Sequence, residues 1–438
     1  MKGYIKKYFV SGDDLKIIKA IITLIVFVLL AKLAGLFKEV AVAWRFGISV
    51  EVDAYNFTFS FVQWPISLFG AVIGATLIPL VSKIKSQRLD GEINVLRSEI
   101  FGLTILLSLV VMVAFYLVFN QLLSNNVFNL DTLQLEYIQV FLNYLVWVIP
   151  LGFLAMLFSA WTMSSQRHTN TFLEAMPALM ISFLVLVFGG AISLAYGIVI
   201  GFTLQTLLLG YFLYKHKEIE WPKFTLTSKN WSPLLAGLSF MLIGQFFMSL
   251  ISLVDQYFAA GLGVGAISTL SYAEKILAIV LSLGVVVIGR AVLPVFSDAH
   301  NEGKVLKSIA IKWASIMFVA GVLASFVFYN YAGSVVRVIF ERGAFSTNDT
   351  EEVANLLQIS ALQIPFYIGG MVLSYLIISL RQYKAFVYIN GILLIAKVLS
   401  LSLLLHLGLD IISLPISTVI VYLLSFSLCL IFLFRYYK

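Results

Sequence analysis

Long apolar segments, each about as long as a membrane span, recur from near residue 16 to the last residues of the chain. A helix needs about 20 apolar residues to cross the hydrocarbon core of a bilayer. Only short polar connections separate the segments, so no soluble domain is expected between them. The pattern therefore predicts an all-α polytopic membrane protein. About twelve spans are expected, at residues 16–43, 53–83, 98–123, 135–164, 171–193, 195–215, 232–260, 265–297, 306–333, 352–380, 385–406 and 410–435.

Basic residues concentrate in alternate connections between these spans. One set of connections holds most of the lysines and arginines, whereas the opposite set holds few, chiefly Arg45, Arg337 and Arg342. Because Lys and Arg accumulate on the cytoplasmic side of a membrane, this alternation predicts that both termini are cytoplasmic. The basic N-terminal segment precedes an apolar run that is too long for a signal peptide, so we expect it to be kept as part of the first span.

Composition excludes several function classes. Hydrophobic residues make up 61% of the 438 residues and charged residues 12%, against about 25% charged in soluble proteins. The net charge of +7 belongs to the connections and does not indicate nucleic-acid binding. With one cysteine, Cys429, neither a disulfide framework nor a thiolate metal site is possible. The chain also lacks a GxxxxGK[ST] loop and metal-ligand spacing of its four histidines, so we expect no enzyme activity and no cofactor.

The two halves of the chain resemble each other. The second span carries Gly47 and Pro79, 32 residues apart, and the eighth carries Gly263 and Pro294, 31 residues apart. Six spans separate the two copies, so both cross the membrane in the same direction. This predicts two six-helix lobes related by a parallel pseudo-two-fold axis, around a V-shaped central cavity. The expected division is an N-terminal lobe at residues 1–215, a cytoplasmic linker at 216–231 and a C-terminal lobe at 232–438.

Charged residues at membrane depth are the candidates for function, since each costs about 2.5–3.5 kcal/mol at the centre of a span. Two interpretations stay open. The charges could pair and hold helices together, or lysines of the first and eighth spans could face each other across a cationic chamber for a phosphate or diphosphate, which charge placement favours. Neighbours such as Lys38 and Glu39 diverge by about 100° on a helix and are expected to be poor partners. The primary candidates are Lys32, Lys38, Glu39, Asp53, Glu274 and Lys275, and the secondary ones are Arg45, Asp255, Arg290 and Lys397.

Several segments resemble the MurJ/MviN family of flippases for lipid-linked cell-wall precursors, within the MOP (MATE-like) exporter superfamily. The resemblance begins at Lys32-Leu-Ala-Gly-Leu-Phe-Lys-Glu39 and continues through Arg45-Phe-Gly47, Asp53-Ala-Tyr55 and Ile78-Pro79. It recurs at Ser271-Tyr-Ala-Glu-Lys-Ile276, and it closes with Phe340-Glu-Arg-Gly-Ala-Phe345. It covers most of residues 30–400 in order.

The resemblance implies a substrate site. It places Lys32, Lys38 and Lys275 in a cationic cavity that holds the diphosphate of an undecaprenyl-linked saccharide, with Glu39, Asp53 and Glu274 as acidic companions. Three departures stand out. The three family arginines are lysines here, which keeps the charge but loses bidentate geometry. The segment Gln63-Trp-Pro-Ile-Ser67 carries no charge where the family has arginines, and about twelve spans are expected where the family has fourteen.

The expected function is transport of a polyprenyl-diphosphate-linked saccharide, lipid II or a surface-polysaccharide repeat unit, to the outer leaflet of the bacterial cytoplasmic membrane. The expected partners are this substrate, membrane lipids and cell-wall or polysaccharide assembly proteins, with the transporter itself a monomer. Coupling to the membrane potential or to a monovalent cation stays open. One alternative is a MATE-type antiporter in which Asp53, Asp255 or Glu39 binds a proton, sodium or a cationic drug. Another is a non-transporting scaffold, against which the intramembrane lysines argue.

Overall fold

The computed structural model describes residues 30–86, 90–165, 172–291, 303–380 and 382–436, and these ranges contain helices and no β-strand. The first helix, α1, is described over residues 30–46. The remaining α-helices are α2 Val50–Ser86, α3 Asp90–Ser124, α4 Thr132–Leu145, α5 Val148–Ser164, α6 Met176–Phe188, α7 Ile192–Lys215, α8 Trp231–Ala260, α9 Ala266–Ala291, α10 Gly303–Phe340, α11 Thr347–Ala361, α12 Ile364–Ser379, α13 Tyr383–His406 and α14 Ser413–Tyr436.

A helix lies at each of the twelve expected spans. Within the described ranges, seven helices are long and apolar enough to cross a membrane, and the number is nine if each of two bent pairs is one span. The helices α1, α6 and α9 occupy the three remaining expected spans. Residues 16–29 of the first expected span lie outside the described residues. The prediction of an all-α polytopic protein is confirmed.

Two expected spans are broken rather than continuous. The fourth consists of α4 and α5, which meet at 47°, and the tenth consists of α11 and α12, which meet at 43°. Pro150 and Pro365 lie in the first turn of the second helix of each pair. Proline has no backbone N–H and its ring crowds the preceding turn, so a helix can begin just before it but cannot run through it. The fourth and tenth spans occupy matching places in the two halves of the chain.

The segment between the two halves is hydrogen-bonded to the third turn of α3. The carboxylate of Glu99 accepts five hydrogen bonds of 2.6–3.1 Å from the segment 225–231, one of them from the indole Nε1 of Trp231. The backbone N–H of Lys223 donates to the carbonyl of Ser98 at 2.9 Å. We call this end of the helix bundle the linker end. The opposite end, which carries the turns 47–49 and 261–265 and the loop 341–346, is the turn end.

Candidate functional site

Three charged side chains from the two halves of the chain meet near the turn end. Lys38 and Glu39 lie on α1, in the first half, and Lys275 lies on α9, in the second. The carboxylate of Glu39 is 2.6 Å from the ammonium of Lys38 and 3.3 Å from that of Lys275, both measured to Oε1. One carboxylate oxygen therefore joins two cations, one from each half. We call these three residues the lysine–glutamate cluster.

The surroundings of the cluster are buried. The exposed fraction of the side chain is 11% for Lys38 and 8% for Glu39, but 41% for Lys275. Tyr55 of α2 and Tyr272 of α9 are each 1% exposed, and both interact electrostatically with Glu39. Low dielectric strengthens an ion pair and makes an unpaired charge costly. The more exposed Lys275 is therefore the cation that a charged ligand can reach most easily.

The expectation that Lys38 and Glu39 are poor partners is wrong. Their side chains do leave the helix in different directions, but the four-carbon stem of lysine is flexible enough to curl across that angle. The pair forms because α1 is buried at this point. A lysine and a glutamate that are both removed from water are more stable as an ion pair than as two separate charges. Helical spacing alone carries no information about that burial.

Asp53 lies outside this cluster and performs a different task. It is fully buried, and its two oxygens accept the backbone N–H groups of Gly265, at 2.5 Å, and Ser268, at 2.7 Å. Gly265 directly precedes α9 and Ser268 lies in its first turn, where a helix leaves its N–H donors without partners inside the helix. A carboxylate also interacts favourably with the positive end of the helix dipole. Asp53 thus caps a helix of the other half, and its expected role beside the lysines stays a prediction.

Two further hydrogen bonds cross between the halves at the turn end. The hydroxyl of Tyr272 donates to the carbonyl of Gly47 at 3.0 Å, and the backbone N–H of Ala344 donates to the carbonyl of Trp44 at 2.8 Å. Gly47 has φ +58°, and a Cβ on it would lie 2.6 Å from the carbonyl oxygen of Ala344. Glycine is therefore required there for both conformation and space. These two bonds, the Asp53 bonds and the Glu39–Lys275 ion pair form what we call the seam.

The other basic candidates on α1 and α9 do not join the cluster. Lys32 is exposed, and its charge acts on the carboxylate of Glu174. The Nε of Arg45 donates to the carbonyl of Gly189 at 3.0 Å, just after the end of α6, where a cation is favourable. Arg290 belongs to α9, but its side chain lies outside the described part of the structure. Among the expected lysines, the structure brings together Lys38 and Lys275.

A second charged site lies inside the second half. The ammonium of Lys397, on α13, is fully buried and lies 2.7 Å from Asp255 on α8. It also donates to the hydroxyls of Ser417, at 2.8 Å, and Thr418, at 2.6 Å, so its three protons are satisfied. For this pair, the interpretation that buried charges hold helices together fits the geometry. No group of three potential metal-ligating side chains occurs among the described residues.

Two cavities are lined by described residues. One, of about 480 Å³, is lined by residues of α8, α9 and α11–α14 of the second half, including Asp255 and Glu274. Glu274 therefore lines a cavity of the second half, whereas its neighbour Lys275 belongs to the lysine–glutamate cluster. The other cavity, of about 620 Å³, has an almost wholly apolar lining between α2, α3 and α8. Beside it, the indole of Trp64 donates to the hydroxyl of Ser249 at 2.9 Å, which links the halves midway along α2.

Comparison with known proteins shows the family. The family model described as lipid II flippase MurJ matches residues 15–438. This chain belongs to the MurJ family. A probable lipid II flippase MurJ of Bdellovibrio bacteriovorus is 28% identical over 393 residues, which are 85% of this chain and 73% of that protein. One from Aquifex aeolicus is 27% identical over 355 residues, covering 78% of this chain and 68% of the relative.

Solved structures share the fold. A lipid II flippase MurJ in an inward closed conformation has a TM-score of 0.75 and 19% identity, over 94% of this chain and 87% of the MurJ chain. A multidrug-resistance MATE transporter of the MOP superfamily, in its inward-facing conformation, has a TM-score of 0.77 and 14% identity, over 92% and 94% of the two chains. The chain is therefore a multi-pass membrane protein with the fold that MurJ and MATE transporters share.

Sequence reasoning missed the uncharged residues that form hydrogen bonds between the two halves at the seam. Tyr272 lies within a segment that carried the family resemblance, but nothing in its spacing predicted a bond to Gly47. Gly265 and Ser268 look like ordinary residues of a turn and a helix start. The available signal was the repeated glycine turn before each paired helix, at Gly47 and at Gly263, both of which have positive φ. That signal predicts two turns but not their contact.

Proposed function

We propose that this protein moves a polyprenyl-diphosphate-linked saccharide, lipid II or a related unit, from the inner to the outer leaflet by alternating access. The observation that carries the proposal is the convergence of Lys38 and Lys275, from opposite halves of the chain, on a single anionic oxygen. Ammonium groups bind phosphate as point charges. Membership of the MurJ family supports the same class of substrate.

The location of the two lysines suits a transporter that rocks. Each half, residues 1–215 and 232–438, supplies one ammonium, so the diphosphate site is complete only when the halves are close at the turn end. When the seam opens, Lys38 and Lys275 separate and the anion is held by one lysine at most. Substrate release would then follow from the same movement that opens a path to the far side of the membrane.

The orientation in the membrane is part of the proposal. The linker end carries Lys215, Lys217, Lys223 and Lys229, and the positive-inside rule favours a cytoplasmic location for it. The turn end would then face outwards from the bacterial cytoplasmic membrane. We propose a monomer that receives its substrate from lipid-linked saccharide synthesis and delivers it to cell-wall or polysaccharide assembly proteins. Movement would be coupled to the membrane potential or to a monovalent cation.

Transport by purified protein tests the proposal. The protein is reconstituted into vesicles that contain fluorescent lipid II, and the fraction of probe that becomes accessible to a membrane-impermeant quencher is followed with time. Wild type should transfer probe, whereas Lys275→Ala should abolish transfer. The matched control is Lys307→Ala, because Lys307 packs over the ring of Phe434 near the linker end, away from the cluster. Transfer by Lys275→Ala at the wild-type rate would contradict the site.

Mass spectrometry of the gently purified protein separates the substrate classes. A bound lipid-linked disaccharide-pentapeptide would identify lipid II as the substrate. A different lipid-linked oligosaccharide would assign the protein to surface-polysaccharide export. Cationic small molecules alone would overturn the flippase proposal in favour of an antiporter, for which the cavity lined by Asp255 and Glu274 would be the binding site.

A further inference from the structure

Glu39 occupies an unusual position for an acidic residue in a site that is proposed to hold an anion. Its carboxylate lies between two ammonium groups, at 2.6 Å from Lys38 and 3.3 Å from Lys275. A carboxylate oxygen and a phosphate oxygen accept the same charge-assisted hydrogen bonds from an ammonium. Glu39 takes one donor of each ammonium and compensates its positive charge, so an anion that is to engage both lysines competes with Glu39 for that charge.

We propose that Glu39 is an intramolecular competitor of the substrate phosphate, which the substrate displaces from Lys38 and Lys275 when it binds. The inference rests on the proposed function, because it assumes that the cluster receives a diphosphate. It adds a role for Glu39 that differs from simple support of the lysines. If Glu39 only supported them, its loss would weaken binding, whereas loss of a competitor strengthens binding.

The exposure of the three side chains indicates the order of displacement. The Lys275 side chain is 41% exposed, against 8% for Glu39 and 11% for Lys38. An incoming phosphate contacts Lys275 first and replaces Glu39 in the longer of the two ion pairs, the one with Lys275. It then competes for Lys38, whose pair with Glu39 is shorter and more buried. A monoanionic carboxylate can be displaced there by a diphosphate, which carries more negative charge and more acceptor oxygens.

Tyr55 provides a separate observation that points to a ligand. Its hydroxyl is buried and makes no hydrogen bond with any other described residue. The group lies within electrostatic reach of both Glu39 and Lys275. A buried hydroxyl without a partner is costly, and native proteins rarely leave one in that state. A phosphate at the cluster would give Tyr55 an acceptor, and the diphosphate has oxygens to spare beyond those that bind the lysines.

The competition also connects substrate binding to the seam. The Glu39–Lys275 ion pair is one of the interactions that hold the two halves together at the turn end. Displacing Glu39 from Lys275 removes that link and replaces it with a contact through the substrate. When the substrate then dissociates from Lys275, one interaction between the two halves is lost. Binding therefore makes this link between the halves depend on the substrate, and the link is broken when the substrate leaves Lys275.

Binding of a short-chain prenyl diphosphate tests the inference. Farnesyl diphosphate is titrated into detergent-solubilised wild type and into Glu39→Gln, an isosteric variant that removes the competing charge. We expect the dissociation constant to fall at least about tenfold in Glu39→Gln and to rise at least tenfold in Lys275→Met. The matched control is Glu51→Gln, which removes a carboxylate from α2 that contacts Tyr137 and neither lysine. Its dissociation constant should remain within about twofold of wild type.

The outcomes are distinct. Equal or weaker binding by folded Glu39→Gln, with wild-type binding that depends on Lys275, overturns the competitor role and leaves the proposed function intact. No binding by wild type or by any variant overturns both. If Glu39→Gln does not fold, Glu39→Asp decides the question. Its carboxylate is carried on a side chain one methylene shorter, which lengthens its contacts with the two lysines, so tighter binding supports competition and unchanged or weaker binding refutes it.

Discussion

Replacement of Asp53 by Asn should open the turn end. The carboxylate is fully buried and accepts two backbone N–H groups at the start of α9. Asn has nearly the same shape, but its NH₂ group must face one of those N–H donors, so one bond is lost. A hydrogen bond to a charged group contributes about 1.5–3 kcal/mol. Because about 1.4 kcal/mol is tenfold in an equilibrium constant, the population with an open seam should rise about ten- to a hundred-fold.

Distances between spin labels across the seam measure this change. Leu133, in the first turn of α4, and Val264, before α9, are exposed side chains at the turn end, one in each half of the chain. Labelled cysteines at these positions should show a single short distance in the wild-type background. In Asp53→Asn, a second and longer distance should appear. The separation between labels is a direct readout of opening, which a loss of overall stability would not reproduce in folded protein.

The control for this experiment is Glu51→Gln, which removes a carboxylate from the same turn of α2. Its contact with Tyr137 lies entirely within the first half, so the distance distribution should match the wild type. An unchanged distribution in folded Asp53→Asn would refute the reasoning, because it would mean that the Asp53 bonds do not hold the halves together. A longer distance in Glu51→Gln as well would show that any lost charge at this end has the same effect.

Three other substitutions test particular contacts. Lys397→Met should lower stability by about 3–5 kcal/mol, because it leaves Asp255 buried and unpaired; thermal unfolding should show recovery in the double variant with Asp255→Asn. Gly47→Ala should cost about 1–2 kcal/mol for the left-handed conformation, and more for the close approach of the loop carbonyl, measured in the same way. Glu99→Gln should speed proteolytic cleavage of the linker about tenfold, whereas Glu92→Gln, which loses one bond at the surface, should not.

The sequence by itself determined the spans, because hydropathy is a local property. Each of the twelve expected segments contains a helix, since a backbone within a bilayer must satisfy its own hydrogen bonds. The breaks at Pro150 and Pro365 also have a local cause, in the missing N–H of proline, although their angles do not. The residues that carried the family resemblance likewise led to the family that the comparison shows.

Only the tertiary structure decided which charges meet. Lys38, Glu39 and Asp53 all lie at membrane depth near one another in the chain, and the sequence gives no reason to treat the two acids differently. Packing of α1 and α2 against α9 places Glu39 between two ammonium groups and Asp53 against a helix start. The physical reason is that the contacts between the halves, such as the Glu39–Lys275 ion pair, depend on the distance between residues more than 200 positions apart and on the burial of those residues. Neither quantity is encoded in the spacing of residues along a single helix.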